Sequence, residues 1–138
     1  MRSEHLTNLH PGWIIGGWLI AAAVTSGVYL GVVGAGLLPT GPGAVLGIAV
    51  AMAVGFFVGG LFVGMRWSDA PILHGAAITF LSVLIWFVGS ILLPGSFEGL
   101  SGPAPAVLGL ILLQFACSVG GGWMGRRLTV GGGVMGSD

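Results

Sequence analysis

Along this chain, long uncharged apolar runs alternate with short polar breaks. Four runs carry no charge at all: Gly12–Leu38, Gly43–Met65, Pro71–Leu93 and Pro103–Met124. Each meets the roughly 20 residues a helix needs to cross a hydrocarbon core of about 30 Å. Lipid offers backbone N–H and C=O groups no partner, so a spanning segment satisfies them internally and the runs predict helices. Pro39, Pro42, Pro71, Pro94 and Pro103 stand at the ends of runs, where a missing N–H does least harm. The first run exceeds the necessary length, and Gly34-Ala35-Gly36 is expected to belong to a loop already. The pattern predicts an all-α integral membrane bundle of four transmembrane helices, at about 12–36, 43–65, 71–93 and 103–125, within a domain at 12–128. A polar lead occupies 1–11, and the Gly-rich tail at 129–138 is expected to be flexible. Ala21-Ala22-Ala23 looks like a signal cleavage site. The apolar run continues to Leu38, though, far beyond an h-region of about 7–15 residues, so the first helix is expected to be retained.

Composition supports this class and removes others. Charged residues make up 6% of the chain, against about 25% in a soluble domain, and the mean hydropathy is +1.05. There is no Lys and the formal net charge is +0, so nothing favours nucleic acid as a partner. The single Cys117 has no second Cys with which to form an internal disulfide. The 28 Gly residues lie among Leu, Val, Ile and Ala, where in a bilayer they let helix backbones approach closely.

Arginine placement predicts orientation. Arg2 precedes the first run, Arg66 separates the second from the third, and Arg126 and Arg127 follow the fourth. The connections at Pro39–Pro42 and Pro94–Gly102 contain only Glu98 as a charge. All positive charge falls on one side, which the positive-inside rule assigns to the cytoplasm, here of a bacterial inner membrane. Trp13, Trp67 and Trp123 are expected at the same interface.

The chain also repeats itself. Ala44-Val45-Leu46-Gly47 matches Ala106-Val107-Leu108-Gly109, and Val58-Gly59-Gly60, Gly64 and Arg66 match Val119-Gly120-Gly121, Gly125 and Arg127 at an offset of 61. Leu9-His10 pairs with Leu73-His74. Two copies of one helical hairpin are expected, as parallel repeats about the membrane normal. Gly47, Gly55 and Gly59 lie on one four-residue ridge, with Gly60 and Gly64 as a second pair and Gly121 and Gly125 as a third. Gly59 and Gly120 are expected at equivalent close contacts, and Phe80, Trp86 and Phe87 of the third run are expected to fill small-residue grooves.

Candidate chemistry is sparse. Every Asp, Glu and Arg lies outside the runs, so no intramembrane charge offers a proton relay or ion site. Small drug–proton antiporters keep a carboxylate in the first helix, where this chain has Thr25, Ser26 and Tyr29. Fluoride channels keep a membrane Asn, and here the only Asn is Asn8. Gln114 is the most polar side chain at mid-depth and is expected to hydrogen-bond another helix. His10 and His74, at equivalent repeat positions, are the candidate ligands for a haem or metal, although the chain implies no cofactor overall. Arg66 and Asp69 are expected as a solvated pair. No phosphate loop is present, and no nucleophile–base pair points to an enzyme.

The pattern GG-x3-G-x-R at Gly59–Arg66, then Leu73-His74-Gly75, then Gly120-Gly121-x3-Gly125-Arg126-Arg127, resembles a family of small four-helix bacterial inner-membrane proteins. The resemblance implies the fold and carries over no catalytic residue. The function expected is a structural or accessory component acting by helix packing, with the bilayer, a second copy or a larger membrane complex as partner. A small transporter or channel for an uncharged solute is the alternative.

The orientation is open to test. A reporter active only in the periplasm should stay silent when fused to either Met1 or Asp138. Activity at either end would reverse the placement.

Overall fold

A computed structural model describes residues 9–37, 42–66, 70–93 and 104–131, and these form a bundle of four α-helices. They are α1 (Pro11–Gly34), α2 (Pro42–Arg66), α3 (Pro71–Leu92) and α4 (Ala104–Gly131). All four are long and apolar enough to cross a membrane, with mean hydropathies of 1.6, 2.4, 2.1 and 1.7 over their most apolar windows. The outer surface is apolar throughout, with Leu30, Leu46, Phe80, Leu92 and Leu112 more than half exposed. That is a surface solvated by lipid. The chain is therefore a multi-pass membrane protein.

The helix ends follow local chemistry. Pro11 and Pro71 open α1 and α3 at the position where their missing N–H costs nothing. α1 stops at Gly34 in a Schellman motif: Gly36 takes a φ of +68°, its N–H donates to the Val33 carbonyl at 3.0 Å, and Leu37 N–H donates to Val32 at 3.1 Å. At its far end α4 runs longer than expected. Residues 129–131 are helical rather than tail, with Thr129 Oγ1 donating back to Arg126 O at 2.9 Å and Gly125 O at 3.4 Å. The remainder of the expected tail, Trp67, Asp69 of the expected Arg66–Asp69 pair, Arg2 and Glu98 lie outside the described residues.

α2 is the central helix. It runs antiparallel to α1 and parallel to α4, and its contact with α4 is the most extensive in the bundle. The α2–α4 contact is reciprocal. A methyl group on Gly60 would strike the carbonyl of Ser118, and one on Gly121 would strike that of Phe57. Gly64 meets Gly122 in the same way, and Gly125 meets Leu61. Phe57 and Ser118, like Gly60 and Gly121, stand 61 residues apart, so the two helices exchange matching surfaces about a local two-fold axis. On its other side α2 presents Gly55 to Ala21 and Thr25, and Gly59 to Gly17 and Ala21. The buried apolar cluster of Ala21, Phe56, Val63 and Ile78 sits beside these contacts, with Trp13, Trp18 and Cys117 packed against it.

The outer helices break this symmetry. α1 covers the Gly55–Gly59 face of α2, whereas α3 lies on the Ser118–Gly122 face of α4. Gly75 meets the Ser118 backbone, and Gly122 meets Pro71 O at a distance that leaves no room for a side chain. Gly120 consequently has no described atom within 4 Å of where its Cβ would be, which overturns its expected equivalence with Gly59. Phe80 and Phe87 also depart from expectation. They are 72% and 56% exposed and face outward, because lipid is as apolar as a helix groove and burial brings them little. Gly47 is only partly buried.

A test separates the two neighbouring glycines. Gly121→Leu should cost roughly 3 kcal/mol or more, as overpacking against backbone does, while Gly120→Leu should stay within about 0.5 kcal/mol, because open space lies beyond its Cα. Reversible unfolding in bicelles measures both, and equal losses would contradict the packing.

Candidate functional site

Three groups of polar side chains meet inside the bundle. The first joins the starts of α1 and α3. His74 is fully buried one turn into α3, and its Nδ1–H donates to the Ala70 carbonyl at 2.8 Å. Its Nε2 accepts from the backbone N–H of His10 at 3.3 Å. A carbonyl on one side and an N–H on the other define the neutral ring, protonated at Nδ1. Both ring nitrogens are committed within the protein, so His74 has no lone pair to offer a haem or metal. The structure brings His10 and His74 together as a tie between helix starts, through the backbone of His10 and the ring of His74. They are not equivalent positions. α1 starts immediately after His10, at Pro11, whereas α3 starts three residues before His74, at Pro71.

The second group centres on Ser118, fully buried where α2, α3 and α4 converge. Its Oγ donates to Gly75 O at 2.9 Å, and its own carbonyl faces the bare Cα positions of Gly60 and Gly75. Sequence reasoning passed over Ser118, Gly122 and Gly17, and named Gly75 only within the Leu73-His74-Gly75 pattern. The run Gly120-Gly121-Gly122 was the visible signal, but it does not say which of the three points inward.

The third is Gln114, 6% exposed on α4. It faces α2 as expected, with Nε2 3.9 Å from Met52 Sδ, a long and weak contact. Its Oε1 is buried and has no hydrogen-bond partner among the described residues. Gln114 lines a cavity of about 110 Å³ with Met52, Ser82, Val83, Trp86 and Ile111. Its walls come from α2, α3 and α4, in the half of the bundle remote from Arg66, Arg126 and Arg127.

At the Arg-bearing end, cation–π contacts anchor the helices. Arg127 stacks on Trp123 at 3.8 Å from the ring centroid, and Arg66 lies 5.8 Å from that of Trp13, which in turn packs on Phe62 at 6.2 Å. Of the helix-packing glycines, Gly55, Gly59, Gly60, Gly64, Gly121 and Gly125 meet a neighbouring helix and Gly120 does not.

The His tie is measurable. His74→Ala leaves the His10 N–H and part of the Ala70 carbonyl's bonding unmet in a new void, and should lower stability by roughly 2–4 kcal/mol. The His10 amide should also exchange its hydrogen faster. An unchanged exchange rate would show that the contact does not hold the start of α1.

Comparison of the chain with family models, with characterised proteins and with solved structures found no match to any of the three.

Proposed function

We propose that this chain is a non-enzymatic assembly component of a bacterial inner membrane, with both termini cytoplasmic, that works by packing helices against a second copy of itself. The observation that carries this reading is the uncovered face of α4. α2 and α4 share a reciprocal contact, and the opposite side of α2, at Gly55 and Gly59, is covered by α1. The counterpart positions on α4, Ala116 and Gly120, face outward together with Gly109, and no described atom comes within 4 Å of a Cβ placed on either glycine. A ridge without side chains gains by close van der Waals contact with another helix, which lipid tails do not match as well.

The α1–α2 contact shows what fits such a face. α1 meets Gly55 and Gly59 with Gly17, Ala21 and Thr25, small side chains one turn apart. The outer side of α1 carries a similar stripe, Gly16, Ala23 and Gly27, with open space beyond Gly16 and Gly27. A second copy therefore presents a surface of the required kind. The one-sided arginines support the orientation, and the offset-61 contacts support an origin by duplication of a hairpin. The resemblance of the Gly-Arg pattern to small four-helix inner-membrane proteins agrees with both.

Native-membrane extraction followed by mass determination tests this. The parent should migrate as an oligomer of one chain. Gly120→Leu should yield a folded monomer, since that position is free within the protomer. A monomeric parent would refute self-assembly, and a stable complex with a different protein would replace the second copy as partner. Specific solute flux from purified protein in liposomes, lost on bulky substitution at Gly55 or Gly59, would favour transport instead.

A further inference from the structure

We propose that the cavity beside Gln114 binds a small membrane-dissolved alcohol or phenol, held by its hydroxyl to the Gln114 amide. This goes beyond the assembly reading and is independent of it, because Gln114 and Gly120 lie on different faces of α4, about 120° apart round the helix.

Several observations converge on the same spot. Close backbone approaches hold α2, α3 and α4 together between Phe57 and Gly64, around Ser118, and where Gly122 meets Pro71. Toward the other end, at Met52, Ser82, Trp86 and Val107, a void of about 110 Å³ opens between the same helices. An apolar cavity of about 150 Å³ is known to hold a six-membered ring in another protein, so this one suits a group of similar or slightly smaller size. The lining is mostly aliphatic and aromatic, which selects an apolar ligand body. Ser82, Val83, Trp86 and Val107 are only partly buried, so the void is reached from the lipid side and a longer ligand's remainder can lie among acyl chains.

Gln114 supplies the polar recognition. Its amide oxygen is buried without a described partner, and its nitrogen makes only the long contact to Met52 sulfur. Such a group costs several kcal/mol in an apolar medium when left unmet. The terminal torsion of Gln is soft, so the amide can swing toward the void at little cost. A hydroxyl both donates and accepts, and thus answers whichever end of the amide it meets. A charged or multiply polar ligand would leave further groups unmet against the aliphatic wall.

Phenol is the probe and toluene its control without the hydroxyl. With Trp13, Trp18, Trp67 and Trp123 changed to Phe, the fluorescence of Trp86 reports the cavity in lipid nanodiscs. Phenol should quench or shift it saturably, with at least tenfold tighter binding than toluene. Gln114→Leu should erase that preference while leaving the protein folded. Val83→Phe, which fills the void, should abolish saturable binding of both, and it decides the matter should Gln114→Leu fail to fold. A 4-alkylphenol binding more tightly than phenol would support the lipid-side opening. Equal affinity for phenol and toluene, a preference unchanged by Gln114→Leu, or unsaturable partitioning unaffected by Val83→Phe would each overturn the proposal.

Discussion

The bundle depends on helix backbones touching directly. Between helices in a bilayer there is no hydrophobic effect to draw on, since lipid tails are as apolar as Leu or Phe, and association rests on van der Waals contact and interhelical hydrogen bonds. Gly60, Gly64, Gly121 and Gly125 bring α2 and α4 together with no side chain between them. Because each glycine meets a carbonyl on the opposing helix, any Cβ there has rigid backbone to displace. Gly55 and Gly59 repeat the device toward α1, and Gly75 and Gly122 toward α3 with α4. The remaining features arrange themselves around this set of contacts.

The polar side chains serve the same contacts. Ser118 donates to Gly75 across the α3–α4 contact at the level where Gly60 approaches from α2. His74 joins α3 to the start of α1 through its accepting Nε2, while its Nδ1–H holds the Ala70 carbonyl at the start of α3 itself. Both lie toward the Arg-bearing end, where the apolar cluster and the cation–π pairs also sit. Toward the other end a void opens beside Gln114, whose amide oxygen is buried with no hydrogen-bond partner among the described residues. The close glycine contacts between α2, α3 and α4 cluster toward the Arg-bearing end, and the void lies beyond them, at Met52, Ser82, Trp86 and Val107.

The outer helices are arranged asymmetrically. α2 has partners on both sides, and α4, its counterpart by sequence, has them on one. α3 follows the Ser118–Gly122 side because Ser118 and Gly75 bond there and Gly122 admits Pro71 O. The side left open is the one that carries Gly109, Ala116 and Gly120.

The number of helices, their approximate limits and the membrane class could be read from the sequence alone. These are local properties: a run of about 20 uncharged residues must pair its backbone internally in lipid, and Pro or Gly marks its ends. The turn at Ala35-Gly36, one residue later than the expected start at Gly34, and the glycines of α2 were legible for the same reason, and Gln114 was recognisable as the polar residue that needed another helix. Which faces meet was decided by the tertiary structure. Successive residues of a helix point about 100° apart, so Gly120, Gly121 and Gly122 address three directions, and only the placement of α2 and α3 determines that the last two are used. The matching Leu-His pairs suggested equivalent sites, yet the helices start at different distances from them, and His10 and His74 became partners instead. Ser118 carried no local signal at all. Its role exists only where three helices come close enough for one hydroxyl to reach across.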